Sequence, residues 1–257
     1  MGMELFDTHC HLNHPDFDAD RAQAWQRARD AGVTCQLCIG FDLESSRSAV
    51  ELSEGKEMRA AIGIHPESAD EWSAETAATL RLLFETGKVA AYGEIGLDYH
   101  WDTVPRSHQS EVFQAQIEFA ASLSPALPLI IHTRDALADT LAVLKASATA
   151  APIVMHCFTG NVEAAKQCLD AGYYLGIGGV ATFKKSEEVH AAIAYASLDR
   201  LLLETDCPYL APQYKRGRRN EPSYLPAIAE VVAAAKGLTL EEVADTTTKT
   251  ARGLFGF

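Results

Sequence analysis

Histidines and carboxylates lie together at the ends of several short apolar segments of this 257-residue chain, a pattern typical of metal centres. His9 and His11 are two positions apart, so on an extended strand both imidazoles point the same way and can reach one cation. Glu94 has two carboxylate oxygens, which allows it to bridge two ions. Imidazole and carboxylate ligands suit Zn, Mn or Fe, and Mg where carboxylates and water predominate. The residues in this pattern are Asp7, His9, His11, His65, Glu94, Asp98, His132, His156, Glu204 and Asp206.

These residues are scattered along most of the chain, and the apolar segments that carry them predict how they meet. Each segment is continuously apolar and rich in β-branched residues, as buried parallel strands are. Eight such segments alternating with amphipathic ones predict an α/β fold, a (β/α)8 TIM barrel, with a doubly wound open sheet as the alternative. In a barrel the C-terminal strand ends converge on one mouth, which would gather the scattered residues. The predicted strands are Glu4–Thr8, Val33–Ile39, Met58–Ile64, Val89–Ile95, Leu127–His132, Pro152–Cys157, Tyr173–Gly179 and Leu201–Asp206.

One domain is expected to span residues 1–257, because no linker, low-complexity tract or change in composition divides the chain. Barrels of this type often use about 250 residues as one domain. The last barrel helix is expected within Pro222–Lys236, and one or two closing helices within Leu238–Phe257. Further helices are predicted at Ala19–Ala31, Ala74–Thr86, Glu111–Ser122, Ala136–Ser147 and Ala164–Ala171.

The charge balance limits what the protein can bind. Lys and Arg number 22 and Asp and Glu 35, so the formal net charge is −13. A chain of this charge does not bind polyanions through its general surface, so action on nucleic acid would need bound cations or a local basic patch. The sequence has no apolar run long enough for a membrane span and shows no secretory signal. Six cysteines are too sparse for a disulfide scaffold, so a reduced, cytoplasmic location is expected.

A basic segment, Lys215-Arg216-Gly217-Arg218-Arg219, follows the last predicted strand and therefore lies on the reactive rim. Arginines there can hold phosphate in bidentate fashion. Two cations about 3.5–4 Å apart are the usual clamp for phosphoryl transfer, so the segment favours a phosphodiester substrate. Five aromatic residues near the strand ends can either stack on bases or pack within loops. These are Trp101, Phe158, Phe183, Tyr209 and Tyr214.

The remaining histidines and three cysteines are expected to lie away from the metals. His14, His100, His108 and His190 fall in loops or helical segments and are predicted as surface residues. Cys10, Cys157 and Cys207 each stand beside a residue of the metal pattern. Because neighbouring side chains on a strand point to opposite faces, these cysteines are expected to face away from the cations.

At this point the motifs resemble those of the TatD deoxyribonucleases. The likeness runs in order and spacing from residue 4 to residue 256 and includes Thr247-Thr248 and Leu254-Phe255-Gly256. Three positions depart from the family's common residues: Asn13, Cys207 and Thr250 stand where Asp, Ser and Asn are frequent. The motifs are Phe6-Asp7-Thr8-His9-Cys10-His11-Leu12, Gly63-Ile64-His65-Pro66, Gly93-Glu94-Ile95-Gly96-Leu97-Asp98, Ile131-His132-Thr133-Arg134, His156-Cys157-Phe158-Thr159-Gly160, Leu203-Glu204-Thr205-Asp206-Cys207-Pro208-Tyr209-Leu210 and Arg219-Asn220-Glu221-Pro222.

The resemblance implies a metal-dependent hydrolase barrel and a role for each matching residue. One divalent cation would be held by His9, His11, Glu94 and Asp206, and the second by Glu94, His132 and His156. Asp206 would also orient or deprotonate the attacking water, and Glu94 and His65 would complete the catalytic set. His65, Arg134, Arg219, Asn220 and Glu221 would contact the substrate. The implied activity is Mg- or Mn-supported hydrolysis of DNA, mostly 3′ to 5′ on single strands, in repair or degradation; Zn is also compatible.

Two other functions are compatible with such a site. A related barrel amidohydrolase would act on a small amide, lactone or aminoacyl ester, and such enzymes often bridge their metals with a modified lysine at strand four. Here Glu94 takes that place, and Lys88 lies at the start of the strand. A metal-dependent binding or scaffold protein would have little use for open coordination positions. We expect DNA as the substrate, no membrane partner and a monomeric protein.

Overall fold

Eight parallel strands form one sheet in the computed structural model, which describes residues 3–53, 55, 57–101 and 103–257. Neighbouring strands follow chain order, and backbone hydrogen bonds from Asp206 N to His9 O and from His11 N to Cys207 O, both 2.8 Å, bring the first and last strands together. The predicted (β/α)8 TIM barrel is therefore confirmed. The strands are β1 Leu5–Cys10, β2 Val33–Ile39, β3 Met58–Ile62, β4 Val89–Asp98, β5 Leu129–Arg134, β6 Ile153–Met155, β7 Tyr174–Ile177 and β8 Leu201–Leu203.

The helices alternate with the strands, and four of them begin where a capping side chain satisfies a free N–H group. Asp42 and Thr239 form capping boxes, and Ser73 and Asn161 cap through their side-chain oxygens. The α-helices are α1 Arg21–Asp30, α2 Leu43–Leu52, α3 Ala74–Glu85, α4 Arg106–Ala121, α5 Leu137–Ser147, α6 Val162–Asp170, α7 Glu187–Tyr195, α8 Leu225–Lys236 and α9 Leu240–Phe255. Short 3₁₀ helices lie at Pro15–Phe17, Pro66–Glu71, Gly179–Thr182, Leu198–Arg200, Gln213–Lys215 and Pro222–Tyr224.

The closing helix α9 packs beneath the barrel, at the end opposite the mouth. Its Thr248 hydroxyl donates to Glu4 O at 3.1 Å, just before β1 begins. Phe255 packs on Phe6 with ring centroids 5.9 Å apart, within an apolar cluster that includes the buried residues Leu37 and Ile130 of the strands. The opposite end of the barrel is thus left for polar residues. Within the described residues, no helix combines the length and hydrophobicity that crossing a membrane requires.

Candidate active site

Glu94 lies at the centre of the barrel mouth, on β4, with only 4% of its surface exposed. Its two carboxylate oxygens face different sets of histidines. Oε2 lies 3.4 Å from His9 Nε2 and 3.9 Å from His11 Nε2. Oε1 lies 2.8 Å from His132 Nδ1 and 3.3 Å from His156 Nε2. The two sides of one carboxylate therefore open onto two groups of nitrogen donors.

The first group has the spacing of a metal shell. The Nε2 atoms of His9 and His11 are 3.3 Å apart, and Asp206 Oδ1 lies 3.7 Å and 3.4 Å from them. Glu94 Oε2 adds a donor atom 3.4 Å from His9 Nε2 and 3.9 Å from His11 Nε2. Tetrahedral ligands at about 2.0–2.2 Å from a cation would be about 3.3–3.6 Å apart, so the donors fit such an ion. His11 Nδ1 lies 3.1 Å from Ile39 O, which can only accept, so Nε2 keeps its lone pair for a cation.

The second group is held by carboxylates from behind. His132 Nε2 lies 3.0 Å from Asp98 Oδ2, and Asp98 in turn accepts from the His100 backbone N–H at 2.9 Å. His156 Nδ1 lies 3.0 Å from Glu204 Oε1. A carboxylate behind each imidazole orients the ring and makes the opposite nitrogen a better ligand. Asp98 and Glu204 are thus functional candidates to which the sequence analysis gave no role, although both stand in its motifs.

Charges at the site compensate one another. Burial raises the pKa of Glu94, but the neighbouring His156 and His9 outweigh it and hold that pKa well below its ordinary value. The pKa of Asp206 is also lowered, because a hydrogen bond from His11 and nearby imidazolium charge overcome the effect of burial. His156 changes in the opposite direction: burial lowers its pKa, but Glu204 and Glu94 raise it to about 10. Protons on histidine therefore balance the negative charge of the carboxylates, which bound cations would otherwise balance.

His65 behaves differently from the other imidazoles. Its Nε2 lies 3.8 Å from Glu94 Oε1, and its ring meets that of His132 with centroids 4.3 Å apart. Burial and the charge of His132 lower the pKa of His65 to about 3. The ring is therefore neutral at physiological pH and can donate one hydrogen bond into the mouth.

Five of these donor residues, His11, Glu94, His132, His156 and Asp206, line a cavity of about 630 Å³, whereas His9 is fully buried. Aromatic and polar side chains surround it, and Arg134 lies with its guanidinium 5.5 Å from the Trp101 ring centroid. The side chains of Trp101 and Tyr209 are both about half exposed. The walls include Phe41, His65, Glu67, Trp101, Thr133, Arg134, Thr159, Val180, Tyr209 and Leu210.

Of the residues predicted to contact substrate, the structure brings His65 and Arg134 into this cavity but not the other three. Asn220 is fully buried, and its amide donates to the carbonyls of Thr205 and Tyr209, both at 2.7 Å. Arg219 donates to the Asp20 carboxylate at 2.7 and 2.8 Å. These contacts anchor the loop after β8, and the contact of these residues with substrate stays a prediction.

Glu221, the third of them, is held in the same way. It accepts three hydrogen bonds from Arg27, at 3.0, 3.2 and 2.7 Å, and one from Ser223 at 2.5 Å. Its carboxylate is therefore committed to the contact between the loop and α1. The Arg27 guanidinium holds the pKa of Glu221 below its ordinary value, although burial opposes this.

Cys157 and His190 do not lie where the sequence predicts them. Cys157 lines the cavity, because β6 ends at Met155 and the residue has a φ of 47°, so strand alternation does not apply to it. Cys10 and Cys207 are buried behind the site near Asp7, as expected. His190 is half-buried rather than a surface residue, and its Nε2 lies 2.6 Å from Ala181 O.

The positions of Lys88 and of the predicted aromatic residues bear on two questions left open by the sequence: whether a lysine can bridge the metals, and which aromatic residues can stack on bases. Lys88 Nζ donates to Val50 O at 3.3 Å, so this lysine is directed away from the Glu94 position. Phe158 is buried and belongs to the core, and Phe183 lies under Arg216. Of the five aromatic residues that the sequence analysis named, Trp101 and Tyr209 line the cavity, and Phe41 lines it as well.

Comparison with known proteins gives consistent likenesses. The family described as TatD related DNase matches residues 6–256. The uncharacterized metal-dependent hydrolase YabD of Bacillus subtilis is 44% identical over 253 residues, 98% of each chain. A 3′-5′ ssDNA/RNA exonuclease TatD of Erwinia billingiae is 40% identical over 259 residues, again 98% of each chain. Among solved structures, the TatD homologue YjjV of Escherichia coli K12 superposes with a TM-score of 0.91 at 29% identity, with 98% of each chain covered.

Proposed function

The chain belongs to the TatD-related DNase family and is a metal-dependent hydrolase of that family, and from this premise we propose that it cleaves phosphodiester bonds in single-stranded DNA from the 3′ end. The observation that carries the proposal is the pair of Glu94 oxygens, each facing its own set of imidazoles. That arrangement suits a bridging ligand between two divalent cations, the usual centre for phosphodiester hydrolysis.

His9, His11, Glu94 and Asp206 would hold one cation, and Glu94, His132 and His156 the other. Bound cations would supply Lewis-acid activation of water and neutralise charge on the phosphoryl oxygens; Mg or Mn is proposed, with Zn as a further candidate. His132 contacts carboxylates through both ring nitrogens, so its Nδ1 contact to Glu94 would be the one exchanged for a cation. Asp98 would remain behind the ring and keep it oriented.

Asp206 is proposed to receive the proton of the attacking water. Its carboxylate lies at the cavity floor and its lowered pKa keeps it ionised at neutral pH, as a general base must be. His65, neutral and directed toward Glu94, is proposed to donate a hydrogen bond to a phosphate oxygen. Arg134, which lines the same cavity, is proposed to bind the phosphate through its guanidinium.

A single strand fits the cavity better than a duplex does. Buried donor residues and half-exposed Trp101 and Tyr209 line the same cavity, so a phosphate that reaches the donors brings its neighbouring bases close to these two aromatic side chains. An unpaired nucleotide can do this and stack its base on an aromatic ring. A role in DNA repair or degradation, a cytoplasmic location and a monomeric state are part of the proposal.

The test is a metal-resolved nuclease assay. Chelated protein receives Mg, Mn or Zn in turn, with single strands labelled at the 3′ or the 5′ end. We expect metal-dependent shortening from the 3′ end, and Glu94→Ala should abolish it while leaving the circular-dichroism spectrum unchanged. Glu85→Ala is the matched control, because Glu85 is an exposed residue at the end of α3.

Two results would contradict the proposal. Cleavage by Glu94→Ala at the wild-type rate would remove the bridging role of that carboxylate. Binding of about two cations by the wild type without cleavage of any strand would instead favour the amidohydrolase alternative, which a screen of esters, lactones and amides would then examine.

A further inference from the structure

The loop between β8 and the Pro222–Tyr224 helix carries exposed aromatic rings and cations in a protein whose net charge is −13. Residues 207–220 contain one lysine, three arginines and no acidic residue. Tyr209 is 46% exposed and Tyr214 60% exposed. We name this surface the ridge, formed by Tyr209, Leu210, Tyr214, Lys215, Arg216 and Arg218.

Two of the three cations of the ridge, Lys215 and Arg216, lie near aromatic rings. Lys215 Nζ lies 5.5 Å from the Tyr214 ring centroid and 5.3 Å from that of Tyr224. The Arg216 guanidinium carbon lies 4.7 Å from the Phe183 ring centroid. Among the residues that the structure describes, no carboxylate lies within 4.0 Å of the charged groups of Lys215, Arg216 or Arg218, whereas Arg219 is paired with Asp20. Three positive charges therefore face solvent uncompensated.

The ridge is continuous with the cavity and held rigidly to it. Tyr209 and Leu210 line the cavity wall. Asn220 fastens Tyr209 O to Thr205 O, directly beside Asp206. At its outer end, the Gln213 backbone N–H donates to the Thr182 hydroxyl at 2.8 Å. Tyr214 and the three cations follow Tyr209 in this same loop, and on that ground we place them next on the path of a ligand that leaves the cavity over Tyr209.

We propose that the ridge binds the portion of a single strand that lies 5′ of the scissile phosphate, with bases stacked on Tyr214 and phosphates near Lys215, Arg216 and Arg218. This inference rests on the proposed function and adds to it a preference for longer strands. Exposed ring faces accept unpaired bases of any sequence, and an isolated positive surface on an acidic protein selects a polyanion at that one place.

The test compares an oligothymidylate of twelve nucleotides with one of two, in the wild type and in Lys215→Ala/Arg216→Ala. The wild type should have a higher kcat/KM on the twelve-nucleotide strand than on the dinucleotide. The double variant should lose most of this ratio between the two kcat/KM values. Each lost phosphate contact lowers the slope of log affinity against log salt by about 0.7, so the double variant should lose about 1.4 on the longer strand. Lys145→Ala/Lys249→Ala, which removes two exposed lysines on outer helices, is the matched control.

Two further measurements separate the ridge from the catalytic centre. Fluorescence anisotropy of the labelled longer strand in EDTA reports binding without cleavage, and the ridge variant should bind it more weakly than the control does. Tyr214→Ala should raise KM for the longer strand about fivefold, the lower end of the cost of losing one stacked base.

The outcomes distinguish this inference from the proposed function. A strand-length ratio and salt slope unchanged in the ridge variant, with cleavage intact, would overturn the ridge alone. Equal loss of affinity for a duplex of the same length would also overturn it, because the surface would then be a general electrostatic patch. Absence of cleavage with every cation and strand would defeat the proposed function itself.

Discussion

Glu204 shows at the scale of one residue how this fold supports its site. The side chain is fully buried, and Oε1 accepts the Cys157 backbone N–H at 2.6 Å while lying 3.0 Å from His156 Nδ1. A Cβ at Gly176 would lie 2.2 Å from Glu204 Oε2, so glycine is required there to make room for the carboxylate. A buried carboxylate is costly unless it is paired, and its pairing here orients a proposed metal ligand.

Glu204→Gln should weaken cation binding without unfolding the protein. The substitution keeps the side-chain volume but removes the charge behind His156, and loss of such a partner typically costs 10–100-fold in metal affinity. Calorimetric titration with Zn or Mn measures this directly, with Glu85→Gln as the control. Wild-type affinity in Glu204→Gln would show that His156 needs no partner for its orientation.

The loop after β8 is held in place by side chains that lie in α1 or just before it. Asp20, just before α1, accepts from both Arg219 and Arg27, and these hydrogen bonds lower its pKa. Arg27 also binds Glu221. Asn220 supplies the inner contact by joining the backbone of Thr205 to that of Tyr209. The loop that carries part of the cavity wall is thus fixed from two sides.

Asn220→Ala should destabilise the protein by about 2–3 kcal/mol and also raise KM. Two carbonyls would lose their donors in a buried setting, and an unsatisfied buried group costs about 1–3 kcal/mol. Urea unfolding measures the first effect and strand cleavage the second. Asn161→Ala, which removes the cap of α6, should cost about 1 kcal/mol and leave KM unchanged. Equal effects of the two variants on KM would contradict a positioning role for Asn220.

Element by element, the sequence predicts strands better than the exact place where each ends. β2 has its predicted bounds, Val33–Ile39, whereas β6 and β8 contain only three residues each. The apolar run continues past the hydrogen-bonded ladder because the mouth is also buried, so hydrophobicity alone does not mark the strand end. Periodicity also singles out neither α2, which is rich in serine, nor α7.

The barrel topology explains why the site residues converge, but it does not explain which side chains elsewhere contact them. Parallel order brings six strand ends to one mouth whatever their separation along the chain. The pairing of Arg219 with Asp20, 199 positions away, depends on how α1 packs against the last loop. For that reason the family resemblance, which implies substrate contacts for Arg219, Asn220 and Glu221, did not reveal that these residues also hold the loop.

At the scale of the whole molecule, the proposed metal site is one for which protons and cations would compete. The pKa of His156 is raised to about 10, against an ordinary value of 6.5. A proton on His156 therefore stabilises the metal-free fold fully below pH 6.5, and this contribution is lost as the pH rises toward 10. A cation held by His156, as proposed, would displace that proton, so cation binding would contribute most to stability where the proton contributes least.

We therefore expect Mn²⁺ to raise the Tm of chelated protein more at about pH 8 than at about pH 6. At a hundredfold excess over Kd, a ligand stabilises by about 2.7 kcal/mol, which for a chain of this size corresponds to about 5–11 °C. Differential scanning calorimetry with and without Mn²⁺ at both pH values measures the two shifts. Glu94→Ala should show almost no shift at either pH, because it lacks the proposed shared ligand. Equal shifts in the wild type at both pH values would mean that cations bind without displacing the proton of His156.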